Sequence, residues 1–558
     1  MKKNFGGLFS NRTFEGDNVP KLTRILYPWS GIFRDACYTM IGTFLMQYAI
    51  TAGVLSSDPG TFKIQYGIIT VAMIVALVWD GLNDPIMGFI IEKVHLKSGK
   101  YRPWIAIGAI GNALIVALMF LVPLAMVGGD GWGYVAFMIV AYLLWDLCFT
   151  MNDIGYWSML PSLTNDPKQR AKITTNVSIA ASIGTAVMTL CMYLLPGNVP
   201  LSTASIYALI GTLIAVLFLA SQLLVYFLCQ EKRRDTVQEQ ISESSNILDL
   251  FRVVIKNHQL LFVVLALLFY QFAAFILTGI GQNYFYMVFG YGGDSGGGGL
   301  VTTAILAIYI LSTILSQLLY PTLSKKMKQK TIITTMAIII IAGYIAFYFI
   351  AFPLFGEKPL AYNTPSSNKL WIVGGTMWLY YVTAFFFFGA SGIFYLSLLV
   401  LMQNAIDYNE WKYGERKESI CFAWRPLDVK LCSGLNRGLQ YIVYFATGTY
   451  AFISAISNAE ADYNSVAYNG SDAATIKAAE ATRDATIAEA GSKISQSSLI
   501  LFGTIVIGTI LASITVAYLL LRFGFKIYEK EEEQIIKELD ERHKQDELKA
   551  DAPIQPQA

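Results

Sequence analysis

Roughly twelve stretches of about twenty apolar residues recur along this 558-residue chain, and they limit its fold more than any other feature. A hydrocarbon layer of about 30 Å is crossed by about 20 helical residues, because a helix satisfies its own backbone polar groups in lipid. Scanning at that length places segments near 28–53, 66–92, 103–127, 134–160, 174–195, 203–229, 260–290, 300–322, 331–355, 370–402, 428–457 and 497–522. Only 14% of residues are charged and 55% are hydrophobic, against about 25% charged in a soluble domain, so lipid must cover much of the surface. The net charge of +2 gives no basic field for nucleic acid. The expected fold is an all-α membrane protein of twelve transmembrane helices in two six-helix halves.

The charged stretch 230–257 separates the halves. Residues 1–229 form the expected N-terminal half and 258–525 the C-terminal half, followed by a charged tail at 526–558. Loops leaving even-numbered spans are basic (Lys93, Lys100, Arg102; Lys172; Lys232; Lys325, Lys326; Lys412), whereas loops leaving odd-numbered spans are poor in Lys and Arg. Positive charge collects on the cytoplasmic side, which puts both termini in the cytoplasm of a multi-pass cell-membrane protein. The tail should be an amphipathic helix that frays. A polar, Ala-rich insert at 458–495 falls on the outer side, either a short cap or a mobile tether, the tether being preferred. The six Cys show no CxxC or Cys/His spacing, and none of the three His is mid-span, so metal chemistry and a histidine proton relay find no residues. No nucleophile–base pair or phosphate loop is present, so an enzyme is not expected, nor any cofactor.

Ionisable residues inside spans are costly and mark function. The second span carries Asp80-Gly-Leu-Asn-Asp84-Pro85. Asp80 and Asp84, four apart, share a helix face, and Asn83 adds an amide oxygen. Such oxygens suit a hard monovalent cation such as Na⁺; the alternative is a vestibule-facing pair that bonds neighbouring helices. In the fourth span, Thr150 and Asp153 share a face, and Trp157 stands one turn beyond Asp153. A carboxylate beside an aromatic plate fits a sugar: the one accepts hydroxyl protons, the other covers C–H faces. Asp146 either joins that face or makes an interhelix bond. In the first span Arg34 and Asp35 form either a donor–acceptor couple for a sugar or a local ion pair. Lys430 in the eleventh span needs a counter-charge, either an Asp of the second or fourth span or nearby Asp428.

Four motifs carry a family resemblance: Trp79-Asp-Gly-Leu-Asn-Asp-Pro-Ile-Met-Gly88, Gly99-Lys-Tyr-Arg-Pro-Trp104, Asp153-Ile-Gly-Tyr-Trp-Ser158 and Asp407-Tyr-Asn-Glu-Trp-Lys-Tyr-Gly-Glu-Arg-Lys-Glu-Ser419. In this order and topology the chain resembles the glycoside–pentoside–hexuronide:cation symporters of the major facilitator superfamily. The resemblance implies Na⁺ ligands at Asp80, Asn83, Asp84 and Thr150, sugar contacts at Asp35, Arg34, Asp153, Trp157 and Tyr395, and coupling through Lys430. It implies a sugar and a monovalent cation as partners, moved together by alternating access. The chain departs from the family pattern at Ser178, where a sugar-contacting Arg is expected, at Tyr395, where a Trp is expected, and at Pro426, where a Thr is expected. Alternatives on the same fold are H⁺-coupled sugar transport and carriage of a lysolipid or other amphiphile; the amphiphile reading expects an apolar slot in place of the paired Asp and Trp.

Overall fold

The computed structural model describes residues 13–16, 18–94, 96, 98–164, 167–196, 199–232, 252, 254–292, 297–366, 368–414, 424–468 and 472–550. The side chains of Asp84, Arg425 and Pro426 lie outside this description. The described chain is nearly all helix. Spans two to ten are Pro59–Lys93, Arg102–Leu121, Trp132–Ser162, Pro167–Leu194, Thr203–Leu228, His258–Phe289, Gly298–Lys326, Gln329–Ala351 and Trp378–Tyr413, and span twelve is Gln496–Leu519. Each of these contains a stretch long and apolar enough to cross a bilayer. Large side chains on their outer faces, such as Leu114, Leu209, Leu318 and Ile338, are more than half exposed, which lipid tolerates and water would not.

Spans one and eleven depart from a straight rod. Span one is built from Lys21–Trp29, Gly31–Gly42 and Phe44–Thr51, interrupted at Ser30 and Thr43. Span eleven, expected as a continuous 428–457, ends at Ala446. The chain then turns by 100° into Tyr450–Tyr468. Gly448 supplies the left-handed backbone of that corner at φ +73°, a conformation that costs glycine little.

Small residues bring helices of the N-terminal half together. A Cβ on Gly184 would stand 2.0 Å from the Ile32 carbonyl oxygen, and one on Gly108 would stand 2.5 Å from the Asn152 nitrogen. Span five therefore lies directly on span one, and span three on span four. The Gly99–Trp104 motif has a local structural role. Glu231 accepts the N–H groups of Lys100, Tyr101 and Arg102 at 2.8, 3.0 and 2.7 Å, which satisfies donors at the start of span three. Arg102 donates Nε to the Tyr226 carbonyl at 3.0 Å.

The 458–495 insert takes the form of a cap. Tyr450–Tyr468 and Ala473–Ser492 form a helical hairpin, packed on the ends of spans one, two and six. The preferred tether fails because the hairpin buries Ile453, Ile456, Tyr463 and Ile487, and apolar burial opposes a loose strand. The tail is the expected helix, Glu529–Ala550, and residues 551–558 lie outside the described residues. It docks on the end of span ten, where Trp411 Nε1 donates to Glu538 Oε2 at 2.5 Å and Arg542 donates to the Trp411 carbonyl at 2.7 Å.

Candidate substrate and cation site

The N-terminal half gathers its charges around Arg34. This side chain is 2% exposed and donates Nη2 and Nε to Asp35 Oδ2 at 2.9 and 3.2 Å. On its other side Nη1 stands 3.3 Å from Asp153 Oδ1. The guanidinium lies 4.2 Å over the Tyr156 ring and 5.0 Å from the Trp157 ring. Tyr156 is itself fixed: it stacks on Tyr27 with centroids 4.5 Å apart, and the two exchange hydroxyl-to-carbonyl hydrogen bonds at 2.6 and 2.8 Å. The first and fourth spans thus bring Arg34, Asp35, Asp153 and Trp157 into one cluster. Arg34 sits at its dry centre, whereas Asp35 and Asp153 keep 23% and 33% of their side chains open. Trp157 is 39% exposed. Buried charge anchors the cluster while partly exposed acceptors and an aromatic face remain for a ligand.

A second cluster joins the halves. Lys430 Nζ donates to Asp80 Oδ1 at 2.9 Å, from span eleven to span two. Asn83 and Asp146 are both buried, and their polar ends approach to 3.5 Å. Thr150, also buried, follows Asp146 by one turn. Asp80, Asp146, Lys430 and Arg437 line one small cavity with Tyr38 and Tyr142. The counter-charge of Lys430 is an Asp of the second span, and the local alternative does not form: Asp428 is buried, with Oδ2 lacking a hydrogen-bond partner among the described residues. Asp84 is on the same helix, its side chain outside the described residues.

Arg437 was not singled out from sequence. It lies two turns beyond Lys430, donates to the Gly42 carbonyl at 3.0 Å and lies 5.8 Å over the Tyr142 ring. The signal available was its spacing of seven from Lys430, which puts both cations on one helix face.

Tyr395 lies in the other half. It stacks on Tyr270 at 5.8 Å and lines a cavity of about 310 Å³ with Tyr270, Gln271, Leu277, Phe285, Tyr309 and Phe388 among others. Among the described residues, no charged side chain lines it. Ser178, at the first departure from the family pattern, is exposed in span five.

The sequence model of the family described as MFS/sugar transport protein matches residues 35–469. The chain belongs to this family. It is the glycoside–pentoside–hexuronide branch of the major facilitator superfamily, as the relatives agree. The raffinose carrier protein of Pediococcus pentosaceus is 24% identical over 78% of this chain and 64% of its own length. A lactose permease of Leuconostoc lactis is 23% identical over 76% and 62%. The chain thus spans less than two thirds of these two curated relatives. The isoprimeverose transporter of Lactiplantibacillus pentosus is 24% identical, with 78% and 82% covered. Among solved structures, a bacterial homolog of the human lysosomal transporter Spinster superposes with TM-score 0.52 at 13% identity, covering 90% of this chain and 96% of that one. The xylose transporter of E. coli gives 0.51 at 12%, covering 82% and 98%. Both share the fold of this chain.

Proposed function

We propose that the chain is a sugar–cation symporter of the cell membrane, with both termini cytoplasmic, working by alternating access. One observation carries this reading: two part-exposed carboxylates, Asp35 and Asp153, flank the buried Arg34 beside the open face of Trp157. A pyranose presents hydroxyl donors in its plane and C–H groups on its faces, and this cluster offers a complement to each. The names of the relatives, carriers of raffinose, lactose and isoprimeverose, point to the same chemical class.

The cation reading rests on Asp80, Asn83, Asp84 and Thr150, with Na⁺ as the transported ion. Lys430 holds Asp80 by its ammonium, so cation and ammonium compete for one carboxylate. Na⁺ at Asp80 would free Lys430 and loosen a bond between the halves. Sugar and Na⁺ must then tighten each other equally. Proton coupling through the same carboxylates is the variant of this reading.

The test is uptake of labelled glycosides and pentosides into vesicles, with Na⁺ and pH gradients imposed separately, for wild type and Asp153→Asn. Na⁺-stimulated uptake of a glycoside, lost in the variant, is the expected result. Uptake driven only by a pH gradient moves the coupling ion to H⁺. The uncharged 310 Å³ cavity favours a second reading, an amphiphile carrier. A lysolipid that blocks glycoside uptake and is itself carried by Asp153→Asn would establish that reading instead.

A further inference from the structure

The capping hairpin belongs covalently to the C-terminal half yet is bonded to the N-terminal half. Glu460 Oε2 accepts the Thr203 N–H at 2.6 Å, at the first turn of span six. Ser202 donates its hydroxyl to Asn464 Oδ1. Asn458 Nδ2 donates to the Ser57 carbonyl at 3.4 Å. Gly53 touches the hairpin so closely that a Cβ there would stand 2.6 Å from the Ala461 Cβ. Toward its own half the hairpin touches Tyr291, over whose ring Arg483 lies at 6.0 Å, and leaves a gap of about 430 Å³ before the start of span twelve, lined by Phe452, Glu489, Lys493 and Ser498 among others.

Its charges are arranged for undocking. Glu460 and Arg483 are both fully buried, 3.5 Å apart, and both ride on the hairpin. Arg483 also donates to Asp484 at 2.7 and 2.9 Å and lies 4.8 Å over the Tyr463 ring. If the hairpin leaves span six, Glu460 loses the helix N-terminus but keeps its guanidinium. The carboxylate is never orphaned, which is the costly outcome for a buried charge. Gly448, at the corner, gives the hairpin a pivot.

The face under the hairpin is closed by other bonds between halves. Gln47 and Asn283 exchange side-chain hydrogen bonds at 2.8 and 3.0 Å, and the Thr203 and Tyr291 hydroxyls meet at 2.6 Å. We propose that the hairpin helices Tyr450–Tyr468 and Ala473–Ser492 form a latch that holds this face of the transporter shut and must leave span six before the face opens. The proposal rests on the alternating-access reading above, but not on the identity of the sugar.

In a background with the native cysteines replaced by serine, Ser202→Cys with Asn464→Cys should form a disulfide on mild oxidation. Uptake should then fall at least tenfold and return with reductant. A disulfide that leaves uptake within twofold overturns the latch, because the hairpin then rides permanently with the first half. Failure to cross-link overturns the docking itself. A second readout needs no substrate. Glu460→Ala should raise labelling of Gln47→Cys, by an impermeant maleimide applied to the hairpin side, at least threefold. Unchanged labelling overturns the proposal, whereas increased labelling in a protein that carries no sugar at all would keep the latch and sink the sugar reading.

Discussion

The two halves of this molecule hold their polar groups in opposite ways. The N-terminal half concentrates charge: Arg34, Asp35 and Asp153 in one cluster, Asp80 and Asp146 in another. The cavity of the C-terminal half is lined by tyrosine hydroxyls, Gln271, Ser391 and apolar rings. Two of that half's cations, Lys430 and Arg437, point at its partner. On the proposed reading, recognition and ion binding concentrate in one half, and the other supplies shape plus two cations that reach across to it.

The strongest way to break this contrast is to remove the centre of the charged cluster. Arg34→Met leaves Asp35 and Asp153 facing each other without the guanidinium that joins them. Removing one partner of a buried charged set costs about 3–5 kcal/mol, so uptake should fall roughly 100-fold or more, with a lowered thermal midpoint of the purified protein. Tyr270→Phe, in the uncharged cavity, should change uptake less than about tenfold, the effect of one neutral hydrogen bond. Equal losses in the two variants would show that the halves contribute alike.

A second, smaller effect concerns the bond between halves. Lys430→Met removes the ammonium from Asp80. A hydrogen bond to a charged group contributes about 1.5–3 kcal/mol, so sugar uptake should drop by roughly 10- to 100-fold. Competition for Asp80 gives this variant a distinctive signature. Na⁺ should bind it more tightly than wild type, seen as a lower Na⁺ concentration for half-maximal change in tryptophan fluorescence. Unchanged Na⁺ affinity would mean that Lys430 is a structural tie and no competitor.

Which of these features the sequence disclosed follows from their physics. Charges inside spans announce themselves, because a lipid-spanning helix carries few of them without cause; Arg34, Asp35, Asp80, Asp153 and Lys430 were all found that way. The cross-half bond of Lys430 to Asp80 was one of several pairings left open, with the second span, the fourth span or Asp428, since helix periodicity says which face a residue is on but not which neighbour it meets. The hairpin resisted reading for a different reason. Ala-rich sequence favours helix in isolation, but Glu460 and Asn464 reach span six only through the 100° turn after Ala446, and nothing in composition fixes such a turn. Arg437 shares a helix face with Lys430, but its partners on spans one and four are set by tertiary packing that spacing alone does not reveal.

The smallest effect sharpens the contrast most, because it tests the C-terminal half on its own ground. Tyr395 stacks on Tyr270 and keeps its ring in the uncharged cavity, where the family pattern expects Trp. If this half supplies shape alone, the ring matters and the hydroxyl does not. Tyr395→Phe should then leave the apparent sugar affinity within about twofold, while Tyr395→Ala weakens it several-fold, in line with about 0.5–1.5 kcal/mol for an aromatic pair. Concentration-dependent uptake of the best substrate reads both. A Phe variant as weak as the Ala variant would mean that the phenol binds a substrate hydroxyl, which would make the C-terminal half a second site of polar recognition and reduce its difference from the first to one of charge alone.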